Sequence, residues 1–491
     1  MLHYIDMADS YFFYDLETSG FSPSAARIMQ FAGQRTDSEL NPTGEPVNVL
    51  IKLAPDVLPD PDAVMLTGIT PQSTLQEGFT EAEFLKYFYD EVVQPNTVFL
   101  GFNTVRFDDE FMRFLHYRNF YDPYEWQWAN GCSRWDMLDV VRMTRALRPE
   151  GIQWPMTPEG KPTNRLELLT KLNGLNHYQA HDALSDVRAT VGVAKLIRDT
   201  QPQLFNYLLD TRNKRAVAPI VEGGQPFVYT SGRYSSDWLH TTVVTMLAKH
   251  GSRDEALVYD LRFDPTPFMT MTPEQLVEAW RYKKDRDPAD LRLPVKTLKY
   301  NHCPALAPLG VIKDKPTQER IKLSIEMVTK NLDLLKTGHQ AFARNLLAAV
   351  ELMDNERERR ASKQAPSAET VDSLLYEGFF EANDKQAMRT IRVAPPEEIA
   401  DIAPHFKDAR LQQLAPLYKA RNYPQSLSAD ERQAWEQHVA AQLFEGGQSS
   451  RLSNYFARLQ QLAAGQLTSE QEYLLEELQL YGESIMPSDA V

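Results

Sequence analysis

Hydrophobic and polar positions follow different periods in different parts of the chain. Between residues 11 and 54, apolar runs bounded by Gly, Ser, Pro and Asn predict three strands at Tyr11–Thr18, Ile28–Arg35 and Val47–Leu53, a simple meander. Helical spacing follows at Glu81–Val93, a short buried-type strand at Thr97–Asn103, and a helix at Phe107–Tyr117. Further helices are predicted at Trp135–Leu147, Asn164–Leu172 and Asp182–Asp199. Strands first, then strand and helix in alternation, indicate an α/β domain with its crevice at strand ends.

The pattern changes near Thr200. Residues Gln201–Gly224 read as irregular, and strands are expected at Phe227–Thr230, Thr242–Ala248, Ala256–Leu261 and Val295–Tyr300, with a helical insert at Pro273–Tyr282. A helix pair, Thr317–Leu335 and Ala341–Met353, closes this β-rich region. The charged and then Ala/Ser/Pro-containing stretch that follows reads as a linker, and the remainder is helical. The expected organisation is therefore 1–200, an α/β domain; 201–354, a β domain with helical extension; 355–370, a linker; and 371–491, a helical domain.

Composition narrows the class without naming a partner. The chain has 491 residues, 43% hydrophobic and 24% charged, as expected of a soluble multidomain protein. No apolar run approaches the ~20 residues of a membrane span, and Met1–Ser10 does not read as a secretory signal. Two distant cysteines, Cys132 and Cys303, argue against a disulfide framework and for a cytoplasmic location. The net charge of −15 disfavours a nucleic-acid partner, yet a local groove can be basic on an acidic protein. Charge leaves the partner open.

The candidate chemistry begins on the first strand. Asp15 and Glu17 stand two residues apart, so in an extended strand both carboxylates leave the same face. Such a pair needs a proton or a cation between its members, and hard oxygen ligands suit Mg²⁺ or Mn²⁺. After the later strand come Asp108 and Asp109, either of which could join them; acids favoured at a helix start are the plainer explanation. In Gln179–Asp186, Asp182 fits an N-cap, Asp186 falls one turn inside the helix, and His181 precedes the cap. A histidine there can act as general base, although a lone histidine before a helix is more often incidental. No Gly-rich Lys-Ser/Thr phosphate loop occurs, which argues against a helicase.

Taken together, Asp-X-Glu on a first strand, Asp after a later strand and His-X₄-Asp opening a closing helix resemble the DEDDh group of 3′–5′ exonucleases. Five further stretches, Arg35–Glu39, Leu66–Gln72, Asn103–Glu110, Tyr117–Tyr124 and Ala146–Ile152, resemble the bacterial exonuclease I family, and the likeness returns at Tyr376–Phe380 and Tyr418–Pro424. The resemblance implies an RNase H-like nuclease domain, an SH3-like β domain and a helical C-terminal domain. It implies Mg²⁺-dependent degradation of single-stranded DNA from the 3′ end to nucleoside 5′-monophosphates, in DNA repair and recombination. Asp15, Glu17, Asp108 and Asp186 would hold two divalent ions, His181 would take the proton of the attacking water, and Glu17 would also approach the terminal nucleotide. The family pattern selects Asp108 and not Asp109.

Aromatics and arginines interleave between Phe102 and Arg165, as a sequence-tolerant single-strand groove would require, although many of these aromatics, Phe107 and Trp135 among them, read as core. By analogy with the family's groove, Arg113, Tyr124, Trp128, Arg142 and Arg165 are the expected DNA contacts, with Arg165 near the scissile phosphate. Arg148 and Tyr207 match positions associated with binding the acidic tail of single-stranded-DNA-binding protein. A monomer is expected, since an enclosing three-domain chain needs no partner. The alternatives are an RNA-trimming or proofreading 3′–5′ exonuclease, and a non-enzymatic single-strand clamp. The ~290 residues beyond the nuclease domain count against the first, and the complete five-residue motif against the second.

Overall fold

The computed structural model describes residues 10–175, 182–251, 254–281, 284, 287, 290–363 and 371–485. Its contacts divide the chain into two compact units. One takes the described residues within 7–133, 177–188 and 368–491, and the other those within 134–176 and 189–367. Among the described residues no helix is long and apolar enough to cross a membrane.

The first unit is built on strands β1 (Ser10–Thr18), β2 (Ile28–Thr36), β3 (Val47–Leu50) and β4 (Thr97–Gly101), which lie in the order β3-β2-β1-β4. The β1–β2 and β2–β3 pairs are antiparallel and β1–β4 is parallel, so the sheet is mixed. Phe12, Tyr14 and Leu16 on β1 pack with Phe31, Phe84, Phe88, Phe99 and Trp126 in an aromatic core. Parallel pairing ends at Phe13 opposite Leu100, so β1 runs on beyond β4 and leaves Asp15 and Glu17 at the open end of the pair. The ladder to β2 slips directly after Glu17, where Thr18 faces Ile28 and not residue 29, a bulge that ends the strand.

Strand β4 reaches its helix through a tight corner. A side chain at Gly101 would collide with the Tyr14 carbonyl oxygen, and Asn103 turns the chain in the left-handed region at φ 75°. The helix Asp108–Arg118 follows, with Asp108, Asp109 and Glu110 in its first turn, where the helix dipole favours acids. Its Phe114 and Tyr117, with Phe120 just beyond, enter a second core made with Val371, Leu375, Met388, Phe406, Leu414 and Tyr418. The C-terminal helices Ala382–Val393 and Ala409–Asn422 are thus continuous in packing with the helix Asp108–Arg118. Three further helices, Ala429–Phe444, Arg451–Ala463 and Ser469–Ser484, complete the helical C-terminal region.

In the second unit the chain runs from β5 (Ser133–Asp136) into the helix Met137–Leu147, capped by Asp136. Trp135 therefore lies on a strand and not in the expected helix; it is buried, edge-on to Phe205 at 5.1 Å. A five-stranded antiparallel sheet is formed by β6 (Phe227–Thr230), β7 (Thr241–Lys249), β8 (Glu255–Asp260), β9 (Val295–Lys299) and β10 (Ala305–Pro308), in the order β10-β6-β7-β8-β9. Strand β10 was hidden by its brevity and its terminal proline.

Two expectations are corrected here. Residues 201–224 are not irregular: Pro202 and the Asn213 cap start helices Pro202–Asp210 and Lys214–Glu222, and Pro202 sits in a first turn, where its missing N–H costs nothing. The helix pair closing the β region is one helix, Ile325–Lys363, which runs through the first half of the expected linker. Its charges are spaced for a solvated helix face, as in the Asp354–Arg357 pair at 3.8 Å, and Glu, Arg and Ala are good helix formers. Residues 364–370 lie outside the described set.

Candidate functional site

Asp15 and Glu17 are the half-exposed positions in a β1 core that is otherwise buried from Tyr11 to Thr18, which is the alternation expected of a strand with one functional face. Asp186 comes from the first turn of the helix Ala183–Thr200. Asp182 caps that helix as expected, its carboxylate accepting the Ser185 N–H at 2.9 Å and its carbonyl the Asp186 N–H at 3.0 Å. The fold gathers Asp15, Glu17 and Asp186 so that one carboxylate oxygen of each lies within 4.8 Å of the others. Asp108 is buried and stands outside that set of three, but its charge reaches Asp15. His181 lies outside the described residues.

The electrostatics state what this arrangement lacks. Burial, then the charges of Asp108, Asp186 and Asp182, push the Asp15 carboxyl well above its ordinary range. Glu17 is pushed up to about 9 by burial and by the charges of Asp15, Asp186 and Asp182. Carboxylates that raise one another's pKa in a half-buried cleft are stabilised by a cation, and an all-oxygen donor set suits a hard divalent ion. The residues present fit such an ion. Asp182 is a contributor to this field that the sequence reading treated only as a cap; its signal was the four-residue spacing to Asp186.

The tandem Asp108-Asp109 is resolved by what each side chain touches. Asp109 accepts a 2.6 Å hydrogen bond from the Tyr14 hydroxyl, on the core face of β1, opposite Asp15 and Glu17. It anchors the helix to the sheet, leaving Asp108 to face the carboxylates electrostatically.

The expected strand contacts fall in both units. In the first, Trp128 is 64% exposed, while Tyr124 is half-buried with the Arg113 guanidinium over its ring at 5.2 Å. Arg113 itself is buried, paired with Glu110, and Glu110 also accepts from the Tyr376 hydroxyl. Arg113 thus supports the Tyr124 ring, a role its place in an aromatic-rich stretch does not reveal. In the second unit, Arg165 is largely exposed at the cap of the helix Leu166–Leu172, and Arg142 is paired with Asp139 at 2.7 Å. Arg148 is half-buried and donates to the Leu147 carbonyl at 2.5 Å, and Tyr207 is half-buried on the helix Pro202–Asp210. The core assignments of Phe107 and Trp135 agree with their packing.

Three family models match consecutive parts of the chain: an exonuclease model over residues 12–194, the exonuclease I SH3-like domain over 212–350 and the exonuclease I C-terminal domain over 369–485. Exodeoxyribonuclease I of Escherichia coli K12 is 37% identical over 481 residues, covering 97% of this chain and 98% of that protein. The crystal structure of E. coli exonuclease I with a dA16 oligonucleotide matches with a TM-score of 0.89 at 37% identity, covering 97% of this chain and all of that one. A crystal structure of SSB/exonuclease I in complex with an inhibitor matches with a TM-score of 0.85 at 36% identity, again over 97% of this chain and all of that one.

Proposed function

The chain belongs to the exonuclease I family, and from that premise we propose that it removes nucleotides from the 3′ end of single-stranded DNA, releasing nucleoside 5′-monophosphates. The observation that carries the reading is the convergence of Asp15, Glu17 and Asp186 within 4.8 Å on a fold matched along nearly its whole length. The non-enzymatic alternative has no place for three mutually repelling carboxylates.

Asp15, Glu17, Asp108 and Asp186 are proposed to hold two divalent ions, Mg²⁺ or Mn²⁺. Bound there, these ions supply an activated water and a counter-charge for the leaving 3′ oxygen. The chain's own residues do the rest. β1 and the helix dipole at Asp108 fix the carboxylates before substrate arrives, so little reorganisation is needed during reaction. His181 is proposed to accept the water proton, a task for which imidazole is matched at neutral pH. Glu17 also approaches the terminal nucleotide, and Arg165, with its exposed guanidinium, meets the phosphate near the cut.

Tyr124, stiffened by Arg113, and the exposed Trp128 are proposed to stack on bases, with Arg142 adding a phosphate contact. Arg148 and Tyr207 are proposed to receive the acidic tail of single-stranded-DNA-binding protein, supported by the related SSB complex. The enzyme would act as a monomer in cytoplasmic DNA repair.

With 5′-labelled single-stranded DNA, duplex DNA and RNA, each with Mg²⁺ or with chelator, only single-stranded DNA with Mg²⁺ should shorten from its 3′ end. Intact single-stranded DNA in that lane rejects the proposal. Trp128→Ala should weaken binding by about 1–3 kcal/mol on homopolymers of all four bases alike, measured by fluorescence anisotropy. A loss confined to one base would contradict stacking.

A further inference from the structure

The two elements that bring ligands from the sheet layer, the end of β1 and the helix Asp108–Arg118, are joined through one buried arginine. Arg27 immediately precedes β2, and its main chain pairs with Ser19, two residues after Glu17: the Ser19 N–H donates to the Arg27 carbonyl at 2.8 Å, and the Arg27 N–H to Ser19 Oγ at 2.8 Å. Arg27 is 2% exposed. Its guanidinium reaches two acids, Glu81 at 3.9 Å and Asp372 at 2.8 Å.

Each acid leads to a different place. Glu81 accepts from Arg118 Nη2 at 2.8 Å and from Asn119 Nδ2 at 2.8 Å, at the far end of the helix that starts with Asp108. Asp372 belongs to the C-terminal region, where Arg421 binds it through Nη1 at 2.9 Å and Nη2 at 2.8 Å and also reaches Asp56 at 2.5 Å. The Ala82 N–H, beside Glu81, donates to Asn422 Oδ1 at 2.9 Å. A strand end and a helix are thus clamped through buried side chains. Removing one member of such a buried charge network costs far more than breaking a surface pair, because it leaves the partner charge uncompensated.

We propose that Arg27 is a positioning residue for the carboxylate site. Through Glu81 it sets the helix of Asp108 against the strand end of Asp15 and Glu17, and through Asp372 it makes that setting depend on the C-terminal helical domain. This rests on the metal reading given above.

The test uses the full chain without DNA and reads Mn²⁺ binding by electron paramagnetic resonance, beside kcat and KM on single-stranded DNA. Folded protein is verified by circular dichroism at the assay temperature. Arg27→Met should raise the Mn²⁺ dissociation constant by about 10-fold or more, with a matching fall in kcat and KM for DNA changed less than about twofold. Arg27→Lys, which keeps the charge but not the planar fork, should recover part of the loss. Asp372→Asn, which weakens the pairs of Asp372 with both Arg27 and Arg421 and leaves the Arg27–Glu81 approach in place, should shift Mn²⁺ binding by a smaller factor of about 3. Wild-type Mn²⁺ affinity in Arg27→Lys and Asp372→Asn overturns the proposal even where Arg27→Met fails to fold. A wild-type chain that binds no Mn²⁺ overturns the metal reading as well, which separates the two failures.

Discussion

Asp186→Ala should lose turnover on single-stranded DNA by at least about 10³-fold, or about 4 kcal/mol of transition-state stabilisation, while its affinity for DNA in chelator stays within about threefold of wild type. The carboxylate is one of three within 4.8 Å, so its removal opens the metal site without touching the aromatic surface around Tyr124 and Trp128. The fold should not suffer. Asp186 raises the pKa of both Asp15 and Glu17, so its loss relieves repulsion, and the metal-free melting temperature should hold or rise. Single-turnover cleavage and anisotropy on the same preparation check both halves. Cleavage near the wild-type rate would remove Asp186 from the ligand set.

The second large effect is on stability. Arg421→Ala should destabilise the protein by about 3–5 kcal/mol, because it leaves Asp56 and Asp372, both buried, without their shared cation. Arg458→Ala is the internal comparison. Its bidentate pair with Asp62, at 2.6 and 2.8 Å, is equally short but solvent-exposed, and should be worth less than about 1 kcal/mol. Burial, and not the number of hydrogen bonds, decides the difference. Urea midpoints for the two variants measure it, and equal shifts would refute the argument.

The same arginine predicts an acid limb. Asp372 is held down at about 2, mainly by Arg421 and Arg27 against the cost of burial, and Asp56 is held lower still. A carboxylate depressed in the folded state adds stability above its unfolded pKa near 4 and loses it as pH falls toward the folded value. Wild-type stability should therefore drop between about pH 4 and 2, and that slope should flatten in Arg421→Ala.

Local pattern carries the fold where a single element decides the outcome. The Asp15/Glu17 alternation is readable because period two on an otherwise apolar strand leaves few other ways to place two acids. The Asp182 cap is readable because its chemistry is confined to four residues. Contacts between distant segments leave no local trace. Nothing near Arg27 announces Asp372, and in sequence buried arginines such as Arg27, Arg113 and Arg118 look the same as surface ones. Composition misled at 355–359, where the charges that suggested a linker lie on the outward face of a long helix. The Asp108-Asp109 tandem had no local solution, because the distinction is made by Tyr14, about 95 residues away.

The mixed core around Phe114, Tyr117 and Phe120 also has a consequence in time. Its other half, from Val371 to Tyr418, lies about 250 residues further along the chain. At about 5–20 residues per second, the roughly 290 residues between Ser133 and Asn422 occupy a ribosome for about 15–60 s. Until residues 371–422 are made, the helix that begins at Asp108 lacks the partners of its apolar face and the Asp372 and Asn422 that complete its buried clamp. The order of synthesis therefore leaves the helix of Asp108 without its full packing until residues 371–422 have been made.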